Sequence, residues 1–321
     1  MTRFESWLRV TSARRLYLLH LGLGSVGAAA VLGATIVALT RIEPDLPPAN
    51  AMLAACRGIL PTEPGLGLLV LALGILGLAV ITLAARSLSR QLRRQRRFLR
   101  RWARLNAIEV NGRELVLVRS TTPEAFCAGF LRPRIYLSTA ALERLTDAEL
   151  RAVIAHETHH QRSHDPLRVL LATVAAEALF FLPALRVLNE RYRELAELAA
   201  DEAASKAEGA PVLASALLTF GERDGQTAPV VGIAAERVDH LLGNPPRWRL
   251  PLSTFTGSLI ILSSLLIVIV TAGDQVATDS FSLVPLVAEV CMIAMFALPP
   301  VIGVRLLFRW RGQRPRLYGQ V

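Results

Sequence analysis

Four apolar stretches long enough to span stand out along the chain, at roughly residues 16–40, 66–85, 252–273 and 283–307. Each is close to the ~20 apolar residues that a helix needs to cross a bilayer core. The first is too long for the apolar core of a signal peptide, and no small-residue cleavage site follows it, so it reads as a retained anchor. A fifth apolar stretch, 167–188, is interrupted by Pro183 and carries Glu177, both awkward for a lipid-facing span. Between these stretches the pattern shortens. Leu115-Val116-Leu117-Val118 is a β-run, and Phe126 to Leu131 and Arg134 to Leu137 are extended segments around Arg132-Pro133, which predicts a hairpin. Thr146-Asp147-Ala148-Glu149 has the form of a capping box and opens a helix with Leu150, Val153 and Ile154 on one face. The pattern predicts a polytopic α-helical membrane protein with an inserted α+β domain. Residues 1–105 hold two spans and a basic linker, 106–251 the domain, and 252–321 two further spans and a basic tail.

Composition agrees with a membrane protein: 52% of residues are hydrophobic and the mean hydropathy is +0.41. The net charge of +10 is carried almost wholly by arginine, and its distribution gives it meaning. Nine arginines and no acidic residue lie between Arg86 and Arg104, and further arginines flank the other spans at Arg3, Arg9, Arg14, Arg15, Arg247, Arg249, Arg305 and Arg309. The loop 41–65 is mixed in charge, and 274–282 carries Asp274 and Asp279. If the four stretches span, every basic block falls on one side. The preference of basic loops for the inner face then predicts a cell-membrane protein with both termini and residues 86–251 in the cytoplasm. Such blocks flank helices and lack an interleaved aromatic platform, so direct nucleic-acid binding is not expected. Cys56, Cys127 and Cys291 have no metal or disulfide spacing.

The chemistry lies in the predicted helix. Of the six histidines in the chain, four sit between 156 and 164. His156 and His160 are four apart and share a helix face, so their ring nitrogens can converge on one metal at about 2.0–2.1 Å. Glu157 stands beside the first of them, placed to take a proton from a water that the metal acidifies toward a pKa of about 7. This is the logic of the His-Glu-x-x-His metallopeptidase. His159 and His164 read as polar helix or loop residues, with coordination as the alternative. Asp165-Pro166 reads first as an N-cap followed by proline, and otherwise as a carboxylate behind a ligand. A zinc ion needs a third protein ligand and an open position. Glu197 supplies the ligand on Glu194-Leu-Ala-Glu197-Leu-Ala-Ala-Asp201, with Glu194 as the competitor. Asp201, on the same face, can accept from a ligand histidine and fix its tautomer.

This assignment constrains the topology. If 167–188 crossed the membrane once, His160 and Glu197 would lie on opposite sides. The expectation is therefore a hairpin that dips into the membrane or lies at its surface, and returns.

The pattern Phe126-Cys-Ala-Gly129-Phe-Leu-Arg-Pro133-Arg-Ile-Tyr-Leu137, then His156-Glu157-x-x-His160 with Asp165 five later, then Glu197-x-x-Ala200-Asp201, resembles the BlaR/MecR-type membrane peptidases. These are gluzincin antirepressor enzymes, and the likeness covers about residues 85–245. It implies a cytoplasmic zincin domain holding one zinc ion through His156, His160 and Glu197. Glu157 is then the catalytic base, and Asp201 and Asp165 stand behind the ligands. Arg237, in Glu236-Arg-Val-x-x-Leu241, matches an arginine near the site in related peptidases. The implied function is signal transduction by cleavage of a cytoplasmic protein such as a transcriptional repressor, its extended segment pairing with an edge strand, for which 134–137 is the candidate. With the sequence ending at Val321, a penicillin-binding sensor domain is not expected. The Glu-x-x-Ala-Asp element also occurs in HtpX and CAAX prenyl proteases, so membrane-protein quality control is the second enzyme reading. A metal-binding receptor or scaffold is the non-enzymatic one, and Glu157 argues against it.

Overall fold

The structure is a computed structural model describing residues 12–41, 66–101, 107–110, 112–221, 237 and 251–276. The fourth apolar stretch (283–307), most of the loop 41–65 and the basic tail lie outside the described residues. Helices α1 (Ala13–Arg41) and α2 (Leu66–Arg101) precede a four-stranded sheet of β1 (Ala107–Val110), β2 (Arg113–Val118), β3 (Ala125–Ala128) and β4 (Arg134–Ser138). There follow α3 (Thr139–Arg144), α4 (Asp147–Ser163), α5 (Asp165–Ala178), α6 (Pro183–Glu208), α7 (Ala210–Gly221) and α8 (Leu252–Val276). Among the described residues, three segments are long and apolar enough to cross a membrane: Ala13–Ile36, Ala72–Arg100 and Leu252–Thr271. The basic stretch after the second span, expected as a linker, is helical as far as Arg101. No glycine or proline interrupts 78–101, and arginine and leucine are strong helix formers.

The chain divides into two compact units. One comprises Ala30–Leu78 with Leu265–Val321; in it α1 and α2 meet where a Cβ on Gly77 would collide with the Thr35 hydroxyl oxygen. The other, Met1–Ala29 with Ala79–Ser264, holds the sheet and the histidine helix.

The sheet order is β1-β2-β4-β3. β3 and β4 form the expected antiparallel hairpin, in register Phe126↔Tyr136 and Cys127↔Ile135. β4 also pairs in parallel with β2, Val116↔Tyr136 and Leu117↔Leu137. The expectation that 134–137 is an edge strand is therefore corrected: β4 is interior, and the exposed edges are β1 and β3. The reason is the non-local parallel pairing with β2, which occupies the side of β4 away from β3. Ile135 and Leu137 are 2% and 1% exposed and pack with Leu115, Val153 and Ile154 between sheet and α4, which suits a strand in the middle of the sheet. On the other face Phe126 stacks on Tyr136 at 5.1 Å and meets Phe98 of α2 edge-on at 4.8 Å. The Gln95 amide oxygen accepts from Gly129 N and Phe130 N at 3.0 and 3.2 Å. Gly129 has φ +116°, and a Cβ there would lie 2.5 Å from the Arg132 carbonyl oxygen. Gly129→Ala is expected to destabilise the domain by about 1–3 kcal/mol, seen as a lower thermal midpoint.

Thr146 caps α4 as the sequence predicts: its side chain accepts from Glu149 N, and the Glu149 carboxylate accepts from Thr146 N at 2.8 Å. The Ser215 hydroxyl of α7 binds the same carboxylate. The interrupted apolar stretch forms two antiparallel arms. α5 ends at Ala178, residues 179–182 turn, and Pro183 opens α6, where its missing N–H costs nothing. At the turn Phe180 is 55% exposed, and Leu171 on α5 is 45% exposed. α1 closes on this hairpin through small residues: a Cβ on Gly27 would lie 2.8 Å from Leu182 Cδ1 and one on Gly24 3.6 Å from Ala175 Cβ.

Candidate metal centre

α4 places His156 and His160 one turn apart, and the hairpin returns α6 against them. The two Nε2 atoms face each other at 3.2 Å. The Glu197 carboxylate lies 3.6 Å from each, Oε2 toward His156 and Oε1 toward His160. The three donor atoms lie within 4.8 Å of one another, the one such group of three found among the described residues. Two imidazole nitrogens and a carboxylate directed at one point form a donor set suited to a divalent cation such as zinc. The Glu197 side chain is 44% exposed, so the group is reached by solvent on the Glu197 side.

The opposite edge of each ring meets a carboxylate. His160 Nδ1 donates to Asp165 Oδ2 at 2.8 Å. His156 Nδ1 is 3.1 Å from Asp201 Oδ1, close enough for an ion pair but not aligned as a hydrogen bond. Both contacts favour the proton on Nδ1 and leave Nε2 as the lone-pair donor. Asp201 is fully buried and is gripped by Arg237, with Nε to Oδ2 and Nη2 to Oδ1 both at 2.7 Å. Arg237 Nη1 is also 3.4 Å from Glu197 Oε2.

The capping reading of Asp165 is corrected. The cap position falls on His164, in the left-handed region at φ 53°, and makes no side-chain cap. Asp165 is the first residue of α5, and its carboxylate is occupied by His160 and by the Tyr192 hydroxyl, the latter at 2.8 Å. The other candidates stand apart. His159 is half-buried and 3.4 Å from the Ser163 hydroxyl, and His164 is exposed with Nδ1 3.2 Å from Arg162 O. Glu194 pairs with Arg191 at 2.7 Å and does not join the group.

The charges are strongly coupled. Burial opposes charge on His156, but Asp201, Glu197 and Glu157 outweigh it and raise its pKa to about 9. Glu157 is 8% exposed, and desolvation raises its carboxyl above the ordinary range despite the adjacent histidines. Burial also works against Glu197 and Asp201, yet His156 and Arg237 hold both below the ordinary carboxylate range. In the metal-free protein the His156 contribution to stability is complete below the unfolded pKa of about 6.5. It is lost as pH rises through about 9. Thermal midpoints of metal-free protein measured across this window are expected to fall with rising pH, and to do so less in His156→Gln.

Two residues near the site were not legible as such. Tyr192 falls on the apolar face of α6 with Leu185, Leu188 and Leu195, and in sequence that spacing reads as core. Cys127 is a free, half-buried thiol that burial, with Glu157 and Asp165, pushes up to about 12, so it stays protonated.

Apolar helices fit to span a bilayer, joined to a His-Glu-x-x-His helix that meets a distant carboxylate, define the class of membrane metallopeptidases. Residues 61–231, more than half of the chain, match the model of the family described as BlaR1 peptidase M56. The chain belongs to that family, as the likeness to BlaR/MecR-type peptidases implied. No curated protein and no solved structure matches the chain significantly.

Proposed function

We propose that the chain is an integral-membrane zinc endopeptidase that cleaves a cytoplasmic regulatory protein, with a transcriptional repressor as the family-based substrate. The observation that carries this reading is the convergence of His156 Nε2, His160 Nε2 and the Glu197 carboxylate on one half-open point, with Glu157 beside it. These three residues hold the metal. A zinc ion bound there supplies Lewis acidity to the scissile carbonyl and to water. The Glu157 carboxylate accepts the proton of the attacking water and passes it to the leaving amine nitrogen, a role suited to its raised pKa. Asp165 and Asp201 hold the rings in the tautomer that donates from Nε2. Arg237 sets the Asp201 carboxylate and lends positive charge to Glu197.

The substrate segment pairs with β3, an edge strand whose Cys127 backbone amide faces the Glu157 carboxylate. The distribution of arginine supports a cytoplasmic address for the site and both termini. The exposed Phe180 and Leu171 support seating the tip of the α5–α6 hairpin in the bilayer surface.

The test is quantitative proteomics of cells making the wild-type chain or Glu157→Gln. A soluble regulatory protein cut only by the wild type supports the proposal. Cleavage confined to misfolded membrane proteins moves the assignment to quality control, and identical proteomes discard the protease reading.

A further inference from the structure

The two metal-facing histidines are backed by carboxylates in different electrostatic states. Asp201, behind His156, is neutralised by the bidentate Arg237. Asp165, behind His160, is 6% exposed and has no comparable bidentate cation among the described residues. The Arg168 guanidinium comes only to 4.0 Å, and the close partner of Oδ1 is the Tyr192 hydroxyl at 2.8 Å. Tyr192 is fully buried on the apolar face of α6 with Leu185, Leu188 and Leu195, and its hydroxyl meets the Asp165 carboxylate, with the Arg168 side chain beside it. Its ring is covered by Tyr17 of α1, 5.3 Å between centroids, and the Arg168 guanidinium lies 5.5 Å from the Tyr17 ring centre.

A phenol differs from a guanidinium in what it does to its partner. Both orient the carboxylate. The phenol leaves the negative charge on Asp165, where it acts on the His160 Nδ1–H and raises the electron density at Nε2. A hydrogen bond from a neutral donor also satisfies Oδ1 in a place that water does not reach. We propose that Tyr192 is a positioning residue of the metal centre: through Asp165 it holds the His160 ring with Nε2 directed at the metal position. The inference rests on the ligand set proposed above and extends it by one shell. It also makes α1 part of the centre's support, because Tyr17 closes the aromatic contact over the phenol.

The experiment is zinc affinity of the detergent-purified full chain, by competition with a chromophoric chelator, together with the visible spectrum of the cobalt-substituted protein. Tyr192→Phe keeps the ring and its packing and removes the hydroxyl. Loss of such outer partners lowers metal affinity by about 10–100-fold, and the expected value here is about tenfold, with a shifted cobalt band. In the Asp165→Asn background the same change is expected to add less than about twofold, because the path through Asp165 is already cut; losses that multiply independently overturn the proposal. Zinc affinity of Tyr192→Phe within twofold of wild type also overturns it, as does a Tyr192→Phe protein that cannot be folded while Asp165→Asn can. Failure of the ligand set itself looks different: a wild-type chain that binds no zinc, or a His160→Ala chain that binds it as well as wild type.

Discussion

Glu157→Gln is expected to lower peptide hydrolysis by about 10²–10⁴-fold while leaving bound zinc at the wild-type level. The substitution keeps the size and shape of a side chain that is 8% exposed, so packing is preserved. What is lost is the ability to accept a proton. Glu157 is not one of the three residues that converge on the metal position, so metal content and catalysis separate in this variant. The raised carboxyl pKa gives a second expectation. Only the ionised form accepts the proton, so kcat/KM falls as pH drops through a value above the ordinary 4.5. That acid limb disappears from the residual activity of Glu157→Gln. Steady-state kinetics on a cleaved peptide with parallel zinc analysis measures both. Activity within tenfold of wild type removes Glu157 from the chemistry, and co-loss of zinc makes it structural.

Asp201→Ala is expected to have the largest effect on stability. The carboxylate is fully buried between Arg237, at 2.7 Å through two bonds, and His156 Nδ1 at 3.1 Å. Its removal takes from the guanidinium and the histidine their closest counter-charge and leaves Glu197, at 3.4 and 3.6 Å, to balance both. Breaking a buried pair from one side costs about 3–5 kcal/mol, which lowers the thermal midpoint on the order of 10 °C. The double variant Asp201→Ala/Arg237→Met is expected to recover part of this loss, since the stranded cation is gone, while zinc affinity stays low because His156 lacks its partner. A single variant within about 1 kcal/mol of wild type excludes the buried triad as a source of stability.

How much of this could be read from sequence follows the distance over which each feature is determined. The Thr146–Glu149 cap and the break at Pro183 are local, and both stand where the residues place them. The choice of Glu197 over Glu194 followed from the coordination requirement and from the face shared with Asp201, and the structure brings Glu197, not Glu194, to the histidines. The position of β4 is not legible in sequence because its parallel pairing with β2 is non-local, and nothing within 134–137 shows which strand will lie beside it. Asp165 before Pro166 reads as a cap because that is the commonest use of the dipeptide. Only the fold reveals His164 in the left-handed region and a histidine one turn back competing for the carboxylate. Tyr192 was hidden for a related reason: its spacing is that of a core residue, and its hydroxyl acquires a task only when α5 packs against α6. The helical course of 86–101 is hard to read because its arginines serve both as a topology signal and as good helix formers.

The support of the centre is split between near and far parts of the chain. His160 and Asp165 are five residues apart, so that half can form as soon as α4 and the first turn of α5 exist. Asp201 and Glu197 arrive only with α6, and Arg237 lies 36 residues beyond Asp201. Closing such separations has an entropic cost that the packed hairpin must offset. On the proposed ligand set, a nascent chain that has reached only the end of α5 carries two imidazoles and no third ligand. On that proposal metal capture would mark the completion of folding, and a half-made copy would lack the complete donor set.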